Sequence, residues 1–302
     1  MNMFRKSILA FLLTIFIIFS SQTLEAGVSD KPIFSHLNKE EIAKFQNVPY
    51  SGRFAFVVMG DNRDGDPIFE FQLALANKLD PLFIIDVGDI VSHGLKEEYS
   101  FFLQELKESK APFLTVLGNH ELRVPEGKKL YKEIFGEYDY HFDYGGCRFI
   151  ILNNVLLPEG GYGLSNKQLS WLEDLLKTDL VKFVFMHVPP PFQKWKHDSF
   201  ERGSKEFIGI VEKYKVNRVF VGHIHAYDRL KRGNTEYIIS GGAGAPLNPY
   251  EFEGKKRGYN LLSGPYYHFL YVIVQGREVI DILIKPNIRA LPYPIDSLKR
   301  GG

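Results

Sequence analysis

Leu82-Phe83-Ile84-Ile85-Asp86-Val87-Gly88-Asp89 sets the fold: an apolar run closes on a glycine and then on a carboxylate. A short continuous run rich in Ile and Val suits a strand buried on both faces. The same pattern recurs along the chain. Val57-Val58-Met59-Gly60 ends in Asp61, and Leu114-Thr115-Val116-Leu117-Gly118 ends in Asn119-His120-Glu121. Phe183-Val184-Phe185-Met186 ends in His187, and Val219-Phe220-Val221-Gly222 ends in His223-Ile224-His225. Glycine immediately precedes the polar residue in four of these five runs, which allows a sharp exit from the strand and close approach to an ion.

Helical patterns lie between the runs. Residues 67–79 place Ile68, Phe71, Leu75 and Leu79 on one face. Residues 166–176 do the same with Leu169, Leu172, Leu175 and Leu176, after Ser165 or Asn166 as cap. Segments 97–109 and 205–214 give two further helices, and Phe149–Leu152 and Tyr237–Ile239 two further strands. Strand alternating with helix predicts an α/β architecture, whose sites form at the carboxyl ends of its strands. The last third changes character. Tyr266–Val274, the turn Gln275-Gly276-Arg277-Glu278 and Val279–Ile284 predict a β-hairpin. With no internal repeat or linker, residues 50–288 read as one domain, preceded by a leader at 27–49 and followed by a tail at 289–302.

Composition removes several classes of function. Of the 302 residues 45% are hydrophobic and 14% aromatic, which excludes disorder as the main state. A net charge of +1 gives no electrostatic case for a nucleic-acid surface. Cys147 is the single cysteine, so neither a disulfide framework nor a thiolate zinc site is available, and its strand-like setting predicts a buried, inert thiol. At the N-terminus, Arg5 and Lys6 precede an apolar run from Ile8 to Phe19, then the polar stretch Ser20–Glu25 and Ala26. This order predicts a signal peptide over residues 1–26 and a periplasmic or extracellular protein. Uncleaved, the same segment would be a membrane anchor, the one membrane contact expected. The sequence gives no oligomeric state.

The polar residues at the strand ends converge in chemistry. Asp, Asn and His side chains suit Mn, Fe, Zn or Mg. A carboxylate shared by two ions holds them about 4 Å apart, as two-metal phosphoryl chemistry requires. His223 and His225 straddle one residue, so on a strand both face one side.

In this order, Gly60-Asp61-Asn62-Arg63, Gly88-Asp89, Gly118-Asn119-His120-Glu121, His187 and Gly222-His223-Ile224-His225 resemble the five blocks of the calcineurin-like metallophosphoesterases. The resemblance implies two β-sheets packed face to face with helices outside, an α/β/β/α single domain. It implies two divalent ions bridged by Asp89, the first held also by Asp61 and His225, the second by Asn119, His187 and His223. It further implies attack of a metal-activated water on a phosphomonoester or phosphodiester, with His120 as acid and Glu121 or a nearby acid orienting it. Asn119 would face the phosphate-ester substrate, and His93, just past Asp89, reads as a group either behind the metal ligands or on the substrate.

Arg63 departs from the family, which usually has a histidine there. A guanidinium has no acceptor and cannot ligate a metal. Three readings stay open: the first ion is held by Asp61, Asp89, His225 and water; it is weakly held; or Arg63 binds a substrate phosphate. A relative that binds a phosphate ligand or partner with weakened catalysis is the alternative. Purple acid phosphatases, a related branch, carry a tyrosine three residues after the bridging Asp; here that residue is Ser92, so their variant of the site is not expected. Gly241-Gly242-Ala243-Gly244 lacks the Lys-Ser/Thr of a nucleotide loop and reads as a turn packed near the metals. Pro189-Pro190-Pro191-Phe192 with Trp195 reads either as a cleft wall or as a rigid loop.

Overall fold

On β1 (Arg53–Met59) successive side chains leave opposite faces, and both faces are buried. Phe54, Phe56 and Val58 enter one apolar core; Val57 and Met59 enter another. β6 (Val181–Phe185) repeats the division with Phe183 and Phe185 against Val184. This two-sided burial is why the strands read as continuous apolar runs. The computed structural model describes residues 36–155, 161–192, 195–247 and 263–287. The expected signal peptide at 1–26 and tail at 289–302 lie outside them.

Two sheets form the interior. The first has the order β11 (Glu278–Ile284), β10 (Phe269–Gln275), β1, β2 (Ile84–Asp86), β3 (Phe113–Thr115). The second has the order β4 (Tyr140–Tyr144), β5 (Cys147–Ile151), β6, β7 (Arg218–Val221), β9 (Thr235–Ser240), β8 (Tyr227–Arg232). β1–β2–β3 and β5–β6–β7–β9 pair in parallel, so their carboxyl ends share a direction within each sheet. β10 and β11 form the expected antiparallel hairpin, turning at Gly276 (φ 58°).

The layer between the sheets is aromatic. Phe56 meets Phe149 and Phe183 across it with ring centroids 5.4 Å apart in each pair, and Phe149 stacks on Phe142 at 4.7 Å. Such pairs add about 0.5–1.5 kcal/mol each beyond the area they bury. Cys147 is fully buried in this layer, and burial pushes its thiol up to about 12.

Helices cover the other faces: α2 (Asp66–Leu79), α3 (Lys96–Glu105), α5 (Asn166–Leu176) and α6 (Ser204–Lys213) follow the periodicities read above. Ser165 closes a capping box on α5, its hydroxyl accepting from the Gln168 amide at 3.3 Å. The stretch 97–109 divides into α3 and a 3-10 turn at Leu106–Glu108. Three features differ from expectation. Residues 37–46, placed in the leader, form α1 (Leu37–Gln46), with Leu37 and Phe45 buried. Asn38 Oδ1 there accepts the Thr115 amide at 2.9 Å and so covers the open edge of β3. α4 (Gly127–Phe135) and the edge strands β4 and β8 also form without an apolar run to announce them. Among the described residues no helix is long and apolar enough to cross a membrane.

Candidate active site

The parallel strands deliver their polar residues to one place. β1 ends at Asp61, β2 at Asp89, β3 at Asn119, β6 at His187 and β7 at His223 and His225. Asp61, Asp89 and His223 take left-handed backbone, with φ of 59°, 59° and 68°. Glycine gives them room. A Cβ at Gly222 would come within 2.5 Å of Asp61 Oδ2, and one at Gly88, itself at φ 102°, within 2.8 Å of His187 Nδ1.

Two donor sets result, each with its atoms within 4.8 Å of one another: Asp89 with His187 and His223, and Asp61 with Asp89 and His225. Asp89 belongs to both. His187 Nε2 lies 3.3 Å from Asp89 Oδ1 and 3.1 Å from Asn119 Oδ1, which adds Asn119 to the first set. Backbone carbonyls fix the rings. Nδ1 of His187 donates to Val87 O at 2.9 Å and Nδ1 of His225 to Pro246 O at 2.7 Å, which turns each Nε2 toward the carboxylates. His225 Nε2 is 3.5 Å from Asp61 Oδ1. The Gly241–Pro246 turn thus packs against the site: Ala245 N donates to Asp61 O at 2.7 Å.

The electrostatics call for positive charge. Burial pushes Asp61 up to about 6, against the pull of His187 and His225. Burial also resists charge on His187, yet Asp89 and Asp61 outweigh it and push the ring up to about 10. Asp89 is held well below the usual carboxylate range, because His187 and His120 outweigh its burial. His223 is pushed down to about 3 by burial and by the neighbouring His187. Buried oxygen and imidazole donors in two converging sets with one shared carboxylate fit a pair of divalent cations, which would displace the proton on His187, and the oriented Nε2 atoms of His187 and His225 complete the fit.

His120 and Glu121 divide differently from the sequence expectation. Glu121 is buried and accepts the amides of Asp89 (3.2 Å), Ile90 (2.8 Å), Val91 (3.1 Å) and Gly118 (2.6 Å). Its oxygens are committed to joining the second and third loops, so it does not orient His120. Ser92 O does that, accepting from His120 Nδ1 at 2.8 Å, while Arg123 Nη2 donates to His120 Nε2 at 2.7 Å. Burial pushes His120 down to about 4. Its Nε2 is 3.8 Å from Asp89 Oδ2, at the edge of the donor sets.

Arg63 lies beside the shared carboxylate, its Nε 3.8 Å from Asp89 Oδ2 and its Nη1 2.5 Å from Asp64 Oδ2. Ser92 Oγ donates to Asp64 in turn. His93 turns outward to Glu98, 2.9 Å away, and is not among the converging residues. Trp195 is buried and donates to Asp228 at 2.8 Å, so its loop is anchored inward. Arg123 and Tyr162, whose ring stands 5.4 Å from His223, were not singled out by sequence. Arg123 had a signal: it is three residues after His120 in a 3-10 turn, where such positions eclipse.

A two-sheet sandwich with helices outside and two donor sets at its strand ends defines a metallophosphatase-type fold. The chain belongs to the calcineurin-like phosphoesterase family, whose profile matches residues 35–227. It is similar to purple acid phosphatase 23 of Arabidopsis thaliana, 32% identical over 145 residues, covering 41% of this chain and 30% of that protein. It is also similar to a probable glycerophosphodiester phosphodiesterase of Arcobacter nitrofigilis, 28% identical over 160 residues, covering 48% of this chain and 57% of the relative. The matches thus span from under a third to just over half of those two relatives. Among solved structures, a purple acid phosphatase from yellow lupin seeds superposes with a TM-score of 0.63 at 18% identity, covering 78% of this chain and 52% of that one. A dimetal phosphatase from Danio rerio gives 0.57 at 14% identity, covering 77% and 98%. At these identities the likeness is one of fold.

Proposed function

We propose that the protein is a metal-dependent hydrolase of phosphate esters, with two divalent cations held at the paired donor sets. Asp89 carries this reading: its Oδ1 accepts the His120 amide at 2.9 Å, yet the same buried carboxylate is common to two converging donor sets. Asp61, Asp89 and His225 would hold one ion, and Asp89, Asn119, His187 and His223 the other. When bound, such ions would neutralise phosphoryl charge and acidify a water. Arg63 offers its guanidinium to phosphoryl oxygens beside Asp89. His120 keeps Nε2 at the edge of the site as an acceptor, so once Arg123 turns to the phosphoryl group it would take the proton that the attacking water loses and pass it to the departing oxygen. The bond from water oxygen to phosphorus forms as the ester bond breaks, and the water's proton leaves on the alcohol. The test is hydrolysis of p-nitrophenyl phosphate and bis(p-nitrophenyl) phosphate. Activity should vanish with chelator, return with Mn²⁺, and be absent in Asp89→Ala.

Arg63 supports a second reading, a relative that binds phosphate without turning it over. Phosphate binding with no turnover under any divalent ion would select it. The order of residues 1–26 supports export. N-terminal sequencing of protein recovered outside the cytoplasm should begin near Gly27, and an intact N-terminus in the membrane fraction would mean an anchor.

A further inference from the structure

Arg63 and Ser92 also line a cavity of ≈ 360 Å³ that lies beside the site, together with Asp64, Asp66, Glu97, Glu98 and Glu105. Two of its five carboxylates are already paired, Asp64 with Arg63 and Glu98 with His93. Asp66, Glu97 and Glu105 have no cationic partner among the described residues.

Glu105 stands apart from the rest. It is 8% exposed, and its Oε1 has no hydrogen-bond partner. A buried carboxylate without a donor is costly, and the last turn of α3 is the end of a helix that favours cations. Burial and the nearby Asp66 and Glu70 push it up to about 8. Unpaired, Glu105 keeps a proton near neutral pH, and a cation that carries N–H donors would displace it and satisfy the orphaned oxygen.

The walls say which kind of cation fits. Ile90 and Val91 are buried on one side, and Phe101 is half exposed at the rim. Hard divalent ions need several oxygens closely converged. Among the described residues these carboxylates form no set of donors within 4.8 Å of one another, in contrast to those around Asp89. Carboxylates interleaved with hydrocarbon and an aromatic ring suit an alkylammonium, with the ring available to the cation.

We propose that this cavity receives an ammonium group on the alcohol portion of the ester, so that the preferred substrate is an aminoalkyl phosphate. The inference rests on the phosphoester-hydrolase reading above. Arg63 holds the phosphoryl end, and the ammonium reaches past it to Glu105.

O-phosphoethanolamine and n-propyl phosphate test this, because they differ in a terminal ammonium against a methyl. Each is titrated as a competitor of nitrophenyl ester hydrolysis by the Mn²⁺-loaded full chain, which reads affinity whether or not the competitor is itself turned over. O-phosphoethanolamine should compete at a concentration about tenfold lower or less, as a charge-assisted hydrogen bond implies. Glu105→Gln should bring the two competitors to near equality. Glu97→Gln, at the exposed start of α3, should narrow the gap about threefold without disturbing the core, so a folding failure at Glu105 does not end the test. Equal competition in the unmodified protein, with the nitrophenyl ester hydrolysed, overturns the proposal and leaves the hydrolase reading standing. A gap unchanged in both variants overturns it as well. Absence of all hydrolysis overturns the hydrolase reading instead. Calorimetry of the two phosphates on the full chain then decides the cavity, equal binding counting against it.

Discussion

The layer between the sheets and the rim at their carboxyl ends are made by the same strands under opposite rules. In the layer, Phe56, Phe149 and Phe183 are buried rings with no polar atom to satisfy. A few residues further along, the chain buries Asp61, Asp89 and His187, whose charges burial penalises. A strand end permits this because its amides run out of ladder partners and turn to side chains, as those of Asp89, Ile90, Val91 and Gly118 turn to Glu121. The layer supplies stability, and the rim spends part of it on placing charge.

Asp89→Ala should show the largest effect on the rim side of this contrast. Turnover of a nitrophenyl ester should fall about a thousand-fold or more, several kcal/mol of transition-state stabilisation. Urea denaturation of the metal-free variant should show a loss of about 1–3 kcal/mol, because the His120 amide loses its acceptor and the His187 ring its counter-charge. A variant that keeps a tenth of its activity, or loses as much stability as a core cavity costs, erases the distinction.

Phe149→Ala probes the layer and should cost about 3–5 kcal/mol by the same denaturation. Turnover per folded molecule should be unchanged at saturating metal. Glu121→Gln straddles the two regions, since it leaves buried amides facing an NH₂ group. It should cost about 1–3 kcal/mol of stability and weaken Mn²⁺ binding about 10–100-fold in calorimetry.

The smallest effect is in pH. Burial holds Asp61 at about 6, so below that pH its carboxyl takes up a proton that a cation must displace. Affinity at the Asp61, Asp89 and His225 set should fall about tenfold for each pH unit below this value, whereas at the set with His187, whose ring is pushed up to about 10, it should go on rising above it. In Asp61→Asn that slope should disappear, and a slope that persists assigns the proton elsewhere.

The rim was legible because its polar residues recur directly after apolar runs and carry a glycine signature. Asp61, Asp89, Asn119, His187, His223 and His225 converge as their spacing suggested. Glu121 was not legible as a backbone acceptor, because its partners are amides that any sequence would supply. β4 and β8 stayed hidden because edge strands alternate exposed polar side chains, as in Tyr140-His141-Phe142-Asp143-Tyr144. α1 stayed hidden for a related reason: its start at His36 has no side-chain cap, and its anchoring on β3 through Asn38 is visible only in three dimensions.

Left-handed backbone at Asp61, Asp89 and His223 also limits how the lineage can drift. Gly, Asn, Asp and His enter that region more readily than other residues, so even the mild exchange of Asp for Glu meets resistance from the main chain before any chemistry is judged. Arg63, the one residue that departs from the familial pattern, lies outside that left-handed set. The departure thus falls outside the left-handed set, and the donors at Asp61, Asp89 and His223 sit within it.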